Sequence, residues 1–247
     1  FKNFKIKRSQ LTKKYNTTAA VVNSMGKKGV FEIFDDGEGR LSNYQGEIKA
    51  LPKLSCEQDL AYKEIKSAYE KQDVVLFHGI TGSGKTEVYI QLIQEAIDEG
   101  RQVCYLLPEI ALTTQIITRL QKVFGDAVGV YHSKFNLNER VEIWNELLKP
   151  NSKFKVVLGA RSCMFLPFSN LGLVIVDEEH ENTFKQFDPA PRYHGRDMAI
   201  LLAKMHKAKV LLGSATPSVE SYFNAKSGKY GLVELNKSKI KTAQKIA

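Results

Sequence analysis

Short apolar runs recur along most of this chain, and the segments between them have a different period. Residues 74–77, 103–107, 128–131, 156–158, 173–176 and 210–212 are rich in β-branched residues and leucine and have the length of buried strands. Between most of them the apolar positions fall at helical spacing, as in Val88, Leu92, Ile93, Ala96 and Ile97, or in Ile116, Ile117, Leu120 and Val123. Strands that alternate with helices of this length are joined by right-handed crossovers. The pattern therefore predicts an α/β domain whose mostly parallel sheet is covered on both faces.

The first 50 residues break this pattern. Residues 9–15 have the length of one short helix, Asn16 and Thr17 offer capping side chains for a second over 18–25, and Lys27-Lys28-Gly29 supplies its stop. A strand over 30–34 and a hairpin turn at Asp35-Asp36-Gly37-Glu38-Gly39 follow. Helix, helix, strand and wing-like turn is the order of a winged helix, although short helices with a hairpin are also common as plain structure. The predicted organisation is a partial winged-helix-like, DNA-binding domain over residues 1–50, the α/β domain over 51–235 and a basic tail over 236–247.

Composition narrows the class. A chain of 247 residues holds one large domain with a small appendage, and 43% hydrophobic with 26% charged residues suits core formation over disorder. The longest apolar runs are far shorter than the roughly 20 residues that cross a bilayer, so no membrane partner is expected. Cys56, Cys104 and Cys163 form no C-x-x-C pair and are expected as reduced, buried thiols of a cytoplasmic protein. The start at Phe1, with no signal or transit segment, reads as a piece of a longer protein. The net charge of +9 is uneven, with eight basic and no acidic residues over 1–31 and four and none over 235–247. Basic ends of this kind suit an anionic polymer and also plain solvated termini.

The candidate chemistry begins at Gly79-Ile80-Thr81-Gly82-Ser83-Gly84-Lys85-Thr86, which fits G-x-x-x-x-G-K-[ST] between a predicted strand and a predicted helix. Its glycines let backbone N–H groups turn inward around phosphate oxygens, and the helix N-terminus adds a favourable dipole. Gly79, Thr81, Gly82, Ser83 and Gly84 are thus candidate residues for binding the phosphates of a nucleotide, with Lys85 neutralising the β- and γ-phosphates and Thr86 holding Mg²⁺; the motif alone leaves kinases, GTPases, transporters and motors open. The apolar run 173–176 ends in Asp177-Glu178-Glu179-His180, which brings carboxylates to the sheet edge where α/β ligands bind. Asp177 is the second candidate Mg²⁺ ligand, and Glu178 is the candidate for orienting or deprotonating an attacking water. An acidic strand end that merely caps the next helix is the competing explanation.

Other strand ends narrow the choice among P-loop proteins. Gly213-Ser214-Ala215-Thr216 follows the run 210–212 and puts small hydroxyl residues where a γ-phosphate can be sensed. Pro108 to Thr113 and Gly159-Ala160-Arg161-Ser162 follow two more predicted strands. In this order the Walker A, D-E-x-H and S-A-T boxes resemble those of superfamily 2 helicases. More narrowly, the chain resembles the bacterial replication-restart, or primosomal, helicase family. That match rests on Gly79 to Tyr89, Leu107 to Thr113, His132-Ser133 with Glu139-Arg140 and Trp144, Gly159 to Ser162, Asp177 to His180, Arg192-Tyr193-His194 with Arg196-Asp197, and Gly213 to Pro217.

The resemblance covers about residues 54–235 and implies that the α/β domain is a P-loop, RecA-like first helicase lobe preceded by a winged helix. It implies a catalytic set of Lys85, Asp177, Glu178 and His180, and an adenine contact by Gln58 that selects ATP. It further implies that His180, Ser214 and Thr216 couple hydrolysis to bound DNA. Residues 182–193 resemble an aromatic-rich loop that senses single-stranded DNA. There Phe184, Phe187 and Tyr193 offer stacking faces and Lys185 and Arg192 phosphate charges, with Gln186 between them. Local packing competes as an explanation for any one ring, and Thr113 and Arg161 complete the candidate DNA contacts. The tip Phe187-Asp188-Pro189-Ala190-Pro191 departs from the more polar, Trp-bearing form usual in the family. His78 is expected at a strand end and His206 on a helix surface, neither with a function.

The implied activity is Mg²⁺-dependent ATP hydrolysis coupled to 3′ to 5′ movement on single-stranded and forked DNA. Primosome and single-strand-binding proteins are the implied partners, and the nucleoid of the bacterial cytoplasm the implied location. A second lobe with an arginine finger, and the zinc-binding cysteines of the family's other half, have no counterpart in these residues. This stretch alone is therefore expected to bind ATP weakly, hydrolyse it slowly and not unwind DNA. The rival readings are a non-motor nucleotide-binding scaffold that binds DNA, and a small-molecule kinase, which would need a lid and a second-substrate pocket.

Overall fold

The computed structural model describes residues 11–12, 14–30, 44, 46–131 and 137–235. The chain divides into two compact units, Phe1–Gly39 and Arg40–Ala247. In the first, residues 11, 12 and 14 are helical and α1 spans Ala19–Lys27, two residues longer at its C-terminus than the sequence pattern suggests. Gly29, at φ +71°, ends it as expected: Gly29 N donates to Gly26 O and Val30 N to Met25 O, so two otherwise orphaned carbonyls are satisfied. The rest of the expected strand over 30–34, the hairpin turn at 35–39 and the basic tail over 236–247 lie outside the described residues, as do His132 and Ser133.

The second unit alternates helices and strands. It runs α2 (Cys56–Tyr69), β1 (Val74–Gly79), α3 (Lys85–Asp98), β2 (Gln102–Leu106), α4 (Thr114–Phe124), β3 (Val128–Tyr131), α5 (Leu137–Leu147), β4 (Val156–Gly159), β5 (Leu171–Asp177), α6 (Gly195–His206), β6 (Lys209–Ser214), α7 (Val219–Lys226) and β7 (Gly231–Leu235). The seven strands form one sheet in the order β3-β4-β2-β5-β6-β1-β7, and every pairing is parallel. All six strands expected over residues 51–235 are present. The seventh, β7, is not announced by its sequence, because Gly-Leu-Val-Glu-Leu alternates weakly and places Glu234 in solvent at the sheet edge.

Alternate residues of each strand sort into two cores. Val75, Phe77, Val103, Tyr105, Leu173, Ile175 and Leu211 pack with α2, α3 and α4 on one face. Val74, Leu76, Cys104, Leu106, Val174, Val176 and Leu212 pack with α5, α6 and α7 on the other. This two-sided burial explains why the strands read as continuous apolar runs. Residues 46–54 pack along the first face: Lys49 N donates to Lys122 O at 2.6 Å, and Gln91 Nε2 to Pro52 O at 2.8 Å. The thiols divide differently from expectation. Cys104 and Cys163 are buried, whereas Cys56 opens α2 at its solvent-facing first turn and is exposed. No described helix is long and apolar enough to cross a membrane.

Candidate active site

Because all strands run parallel, the loops after β1, β2, β4, β5 and β6 emerge at one sheet edge. The loop after β1 turns through Gly82 at φ +76° and Gly84 at φ +89°, conformations that a side chain would strain. Gly84 is the N-cap of α3, so the first free N–H groups of that helix face the loop. Lys85 is buried with 9% of its surface exposed and donates to Gly79 O at 2.7 Å. Ser83 Oγ is buried with no partner among the described residues. Thr81 and Gly82 are exposed and Thr86 is half-buried.

Gln58 supports this loop from below. Ser55 caps α2, accepting from Gln58 N while Gln58 Oε1 accepts from Ser55 N, a reciprocal capping box. The Gln58 amide then donates to Ser83 O at 3.3 Å and Gly84 O at 3.1 Å. The side chain is 1% exposed, so in this conformation Gln58 reaches the P-loop backbone.

The loop after β5 carries the carboxylates. Asp177 Oδ1 accepts from Tyr89 Oη at 2.9 Å and from Glu178 N at 3.1 Å, while Oδ2 accepts from Tyr105 Oη at 3.2 Å. Burial and the neighbouring Glu178 charge raise the Asp177 pKa, against the lowering effects of Tyr89, Lys85 and Tyr105. Glu178 itself has φ +50°, a left-handed conformation that costs a side-chain-bearing residue on the order of 1–3 kcal/mol and concentrates at functional sites. Its Oε2 lies 3.7 Å from His180 Nδ1.

His180 faces the loop after β6. Its Nδ1 lies 2.7 Å from Ser214 Oγ and its Nε2 3.2 Å from Thr216 Oγ1, and Thr216 N donates to Ser214 Oγ at 3.0 Å. With Ser214 donating to Nδ1 and Nε2–H donating to Thr216, each contact in this triangle has one donor and one acceptor. The structure thus brings His180, Ser214 and Thr216 together, beside Asp177 and Lys85.

Glu179, to which the sequence reading gave no role, is fully buried behind this triangle. It accepts from Ser218 N at 2.7 Å, Ser218 Oγ at 2.9 Å, Ser221 Oγ at 2.8 Å and Arg196 Nη1 at 3.1 Å. Burial opposes the charge on Arg196, but its bonds to Asp197 and Glu179 outweigh that and raise its pKa. Tyr89 and Tyr105 were also missed. The available signal was Tyr89 standing one helical turn after Lys85, but a tyrosine within an apolar run reads as core.

The candidate DNA residues separate into two groups. Phe184 is a correction: it is 1% exposed, packed in the second core beside Gly195 and Arg161, so its ring anchors the loop and offers no stacking face. Arg161 Nη1 donates to Thr183 O at 3.0 Å and Lys185 O at 2.9 Å, strapping the same loop. Beyond these anchors the segment folds back on itself. Lys185 and His194 form an antiparallel bridge, and Gln186 Nε2 donates to Pro189 O at 2.8 Å. Phe187 stands 61% exposed with Lys185 Nζ 5.0 Å above its ring, Arg192 is exposed, and Tyr193 is half-buried edge-on to Phe165. Thr113 is exposed at the N-cap of α4. His78 lies within β1 with Nε2 3.2 Å from Ala215 O, and His206 closes α6.

Residues 57–224 match the family described as DEAD/DEAH box helicase. The chain is similar to replication restart protein PriA of Bacillus subtilis, at 38% identity over 94% of this chain and 29% of that protein. It is similar at 40% identity to the Chlamydia muridarum protein of the same name, over 92% of this chain and 30% of that one. Among solved structures, RecG bound to a three-way DNA junction superposes with a TM-score of 0.56 at 25% identity, covering 78% of this chain and 25% of that one. The helicase MrfA bound to DNA shares the fold, with a TM-score of 0.53 at 14% identity over 90% of this chain and 30% of that one. The chain thus spans about a third or less of the length of the curated relatives it matches.

Proposed function

The chain belongs to the DEAD/DEAH box helicase family, and from that premise we propose that it is the ATP-binding first lobe of a replication-restart DNA helicase with 3′ to 5′ polarity. One observation carries this reading: Lys85, Asp177 and the His180–Ser214–Thr216 triangle meet at one sheet edge, where β1, β5 and β6 end.

The residues fit a Mg²⁺-nucleotide. Ser83 Oγ is a buried polar atom with no partner among the described residues, and Lys85 rests on a loop carbonyl that a phosphate oxygen can replace. Thr86 and Asp177 supply the hard oxygen donors that Mg²⁺ takes. The ion, when bound, neutralises charge that develops on the transferring phosphoryl group. Lys85 and the α3 N-terminus hold the β- and γ-phosphates, and Glu178 orients and deprotonates the attacking water. His180 relays the state of that site to Ser214 and Thr216.

DNA is proposed to cross the same edge over Thr113, Phe187, Lys185, Arg192 and Tyr193, with Gln186 and Arg161 shaping the loop. Stacking and phosphate contacts of this kind are sequence-tolerant and salt-sensitive, which suits recognition of single-stranded and forked DNA by structure. Primosome and single-strand-binding proteins are the proposed partners and the bacterial cytoplasm, at the nucleoid, the proposed location. By itself this stretch is proposed to bind ATP weakly, hydrolyse it slowly and leave duplex DNA intact, because an arginine finger supplied by a second lobe is worth orders of magnitude in rate.

The test is Glu178→Gln in the full-length protein. The expected result is retained ATP binding with DNA-stimulated turnover reduced by at least about a hundredfold, the scale of a lost general base. Unchanged turnover would instead favour a scaffold that uses nucleotide as a structural ligand.

A further inference from the structure

Two tyrosines from different elements converge on one carboxylate. Tyr89 lies on α3, one turn beyond Lys85, and Tyr105 lies on β2, paired in register with Ile175 two residues before Asp177. Both rings are fully buried and pack edge to face, with centroids 5.7 Å apart, and Tyr89 packs in the same way on Phe77 at 6.1 Å. Their hydroxyls sit on different oxygens of Asp177, at 2.9 and 3.2 Å. Tyr89 and Glu178 N fill Oδ1, whereas Oδ2 has a single donor among the described residues and keeps a lone pair.

The neighbouring strand is shaped around this arrangement. Gly213 pairs with Asp177 in register, and a Cβ at Gly213 would lie 1.9 Å from Tyr89 Oη and 3.1 Å from Asp177 Oδ1. The glycine of the Gly213-Ser-Ala-Thr box is therefore the space through which one hydroxyl reaches the carboxylate.

We propose that Tyr89 and Tyr105 are positioning residues of the ATPase centre, holding the Asp177 carboxylate in the single orientation that presents its free Oδ2 lone pair to the Mg²⁺ of bound nucleotide. This rests on the reading of the site given above. Mg²⁺ demands near-ideal octahedral ligand geometry, so a carboxylate free to rotate binds it less well. Hydrogen-bond partners of metal ligands are the groups that fix such geometry. The rings also make the arrangement rigid, since neither can swing out of the core without opening a cavity.

The experiment measures equilibrium binding of N-methylanthraniloyl-ATP to the full-length protein in Mg²⁺ and in EDTA, for wild type, Tyr89→Phe, Tyr105→Phe and the double variant. Phenylalanine keeps each ring and removes only the hydroxyl. Affinity in EDTA should match wild type, while the gain on adding Mg²⁺ should fall by about tenfold for each single variant and further for the double, the scale seen for second partners of metal ligands. The Mg²⁺ concentration for half-maximal binding should rise in parallel. A wild-type protein whose affinity does not depend on Mg²⁺ would defeat the reading of the site itself. A normal Mg²⁺ response in wild type that persists in both single variants and the double would overturn this inference alone. An equal loss in Mg²⁺ and in EDTA would also overturn it, since that pattern belongs to a packing role. Melting temperatures decide which variants are folded, and either single variant suffices.

Discussion

Replacing Arg196 with methionine would leave the Glu179 carboxylate fully buried and short of its cationic partner. At 3.1 Å and an effective dielectric constant near 20, the gross attraction between the two groups is about 5 kcal/mol. In the native protein that attraction is offset by taking both ions out of water. Three donors to Glu179 survive the substitution, Ser218 N, Ser218 Oγ and Ser221 Oγ, so the carboxylate keeps most hydrogen bonds and loses its counter-charge. Arg196→Met should therefore lower unfolding free energy by roughly 3–5 kcal/mol, the range for breaking one side of a buried pair. Adding Glu179→Gln should recover more than half of that loss, because the neutral amide still accepts from Ser218 N and can donate to both serine hydroxyls. Urea denaturation followed by circular dichroism measures both, with Trp144 fluorescence as a second probe. A cost below about 1 kcal/mol for the single variant, the level of an ordinary substitution, would refute the reasoning. So would a double variant no more stable than the single.

Gly213→Ala drives a methyl group against Tyr89 and should destabilise the protein by about 1–3 kcal/mol, as overpacking does. Tyr89→Phe should suppress part of that cost by removing the atom that clashes, and thermal melts of the two singles and the double give the coupling directly. The pH dependence of stability follows from His194 at the start of α6. Burial and the nearby Arg196 charge lower its pKa below 6.5, with its Nδ1 buried and unpartnered among the described residues. The folded state thus binds fewer protons than the unfolded one just below pH 6.5, and stability falls as pH drops through that region. His194→Gln should flatten that part of the unfolding profile, and an unchanged slope would remove His194 as its source.

What the sequence makes legible is what depends on local pattern. The alternation of apolar runs and helical periods is enough for the two-faced parallel sheet, and the P-loop is readable because its glycines and lysine are adjacent in the chain. Long-range polar pairs are not readable in that way. Glu179 and Arg196 look like solvated charges until β5, α6 and the loop after β6 are folded together. Phe184 looks like an exposed loop aromatic, yet Arg161 straps its neighbours and the second core takes its ring. Gln58 is visible as a motif residue, but its engagement by Ser83 and Gly84 carbonyls depends on how α2 lies under the P-loop.

The order of strands in the sheet also sets an order of assembly. β1, which carries the P-loop, lies between β6 and β7, so its two hydrogen-bonding neighbours are residues 209–214 and 231–235. The phosphate-binding segment is synthesised before either of these neighbours and cannot be held from both sides until the chain through Leu235 has left the ribosome. Contacts so distant along the chain are slow to form, and the apolar strand 74–79 stays unpaired in the interval. Nucleotide binding thus waits on strands that follow the P-loop in the chain, and it reports on their pairing with β1.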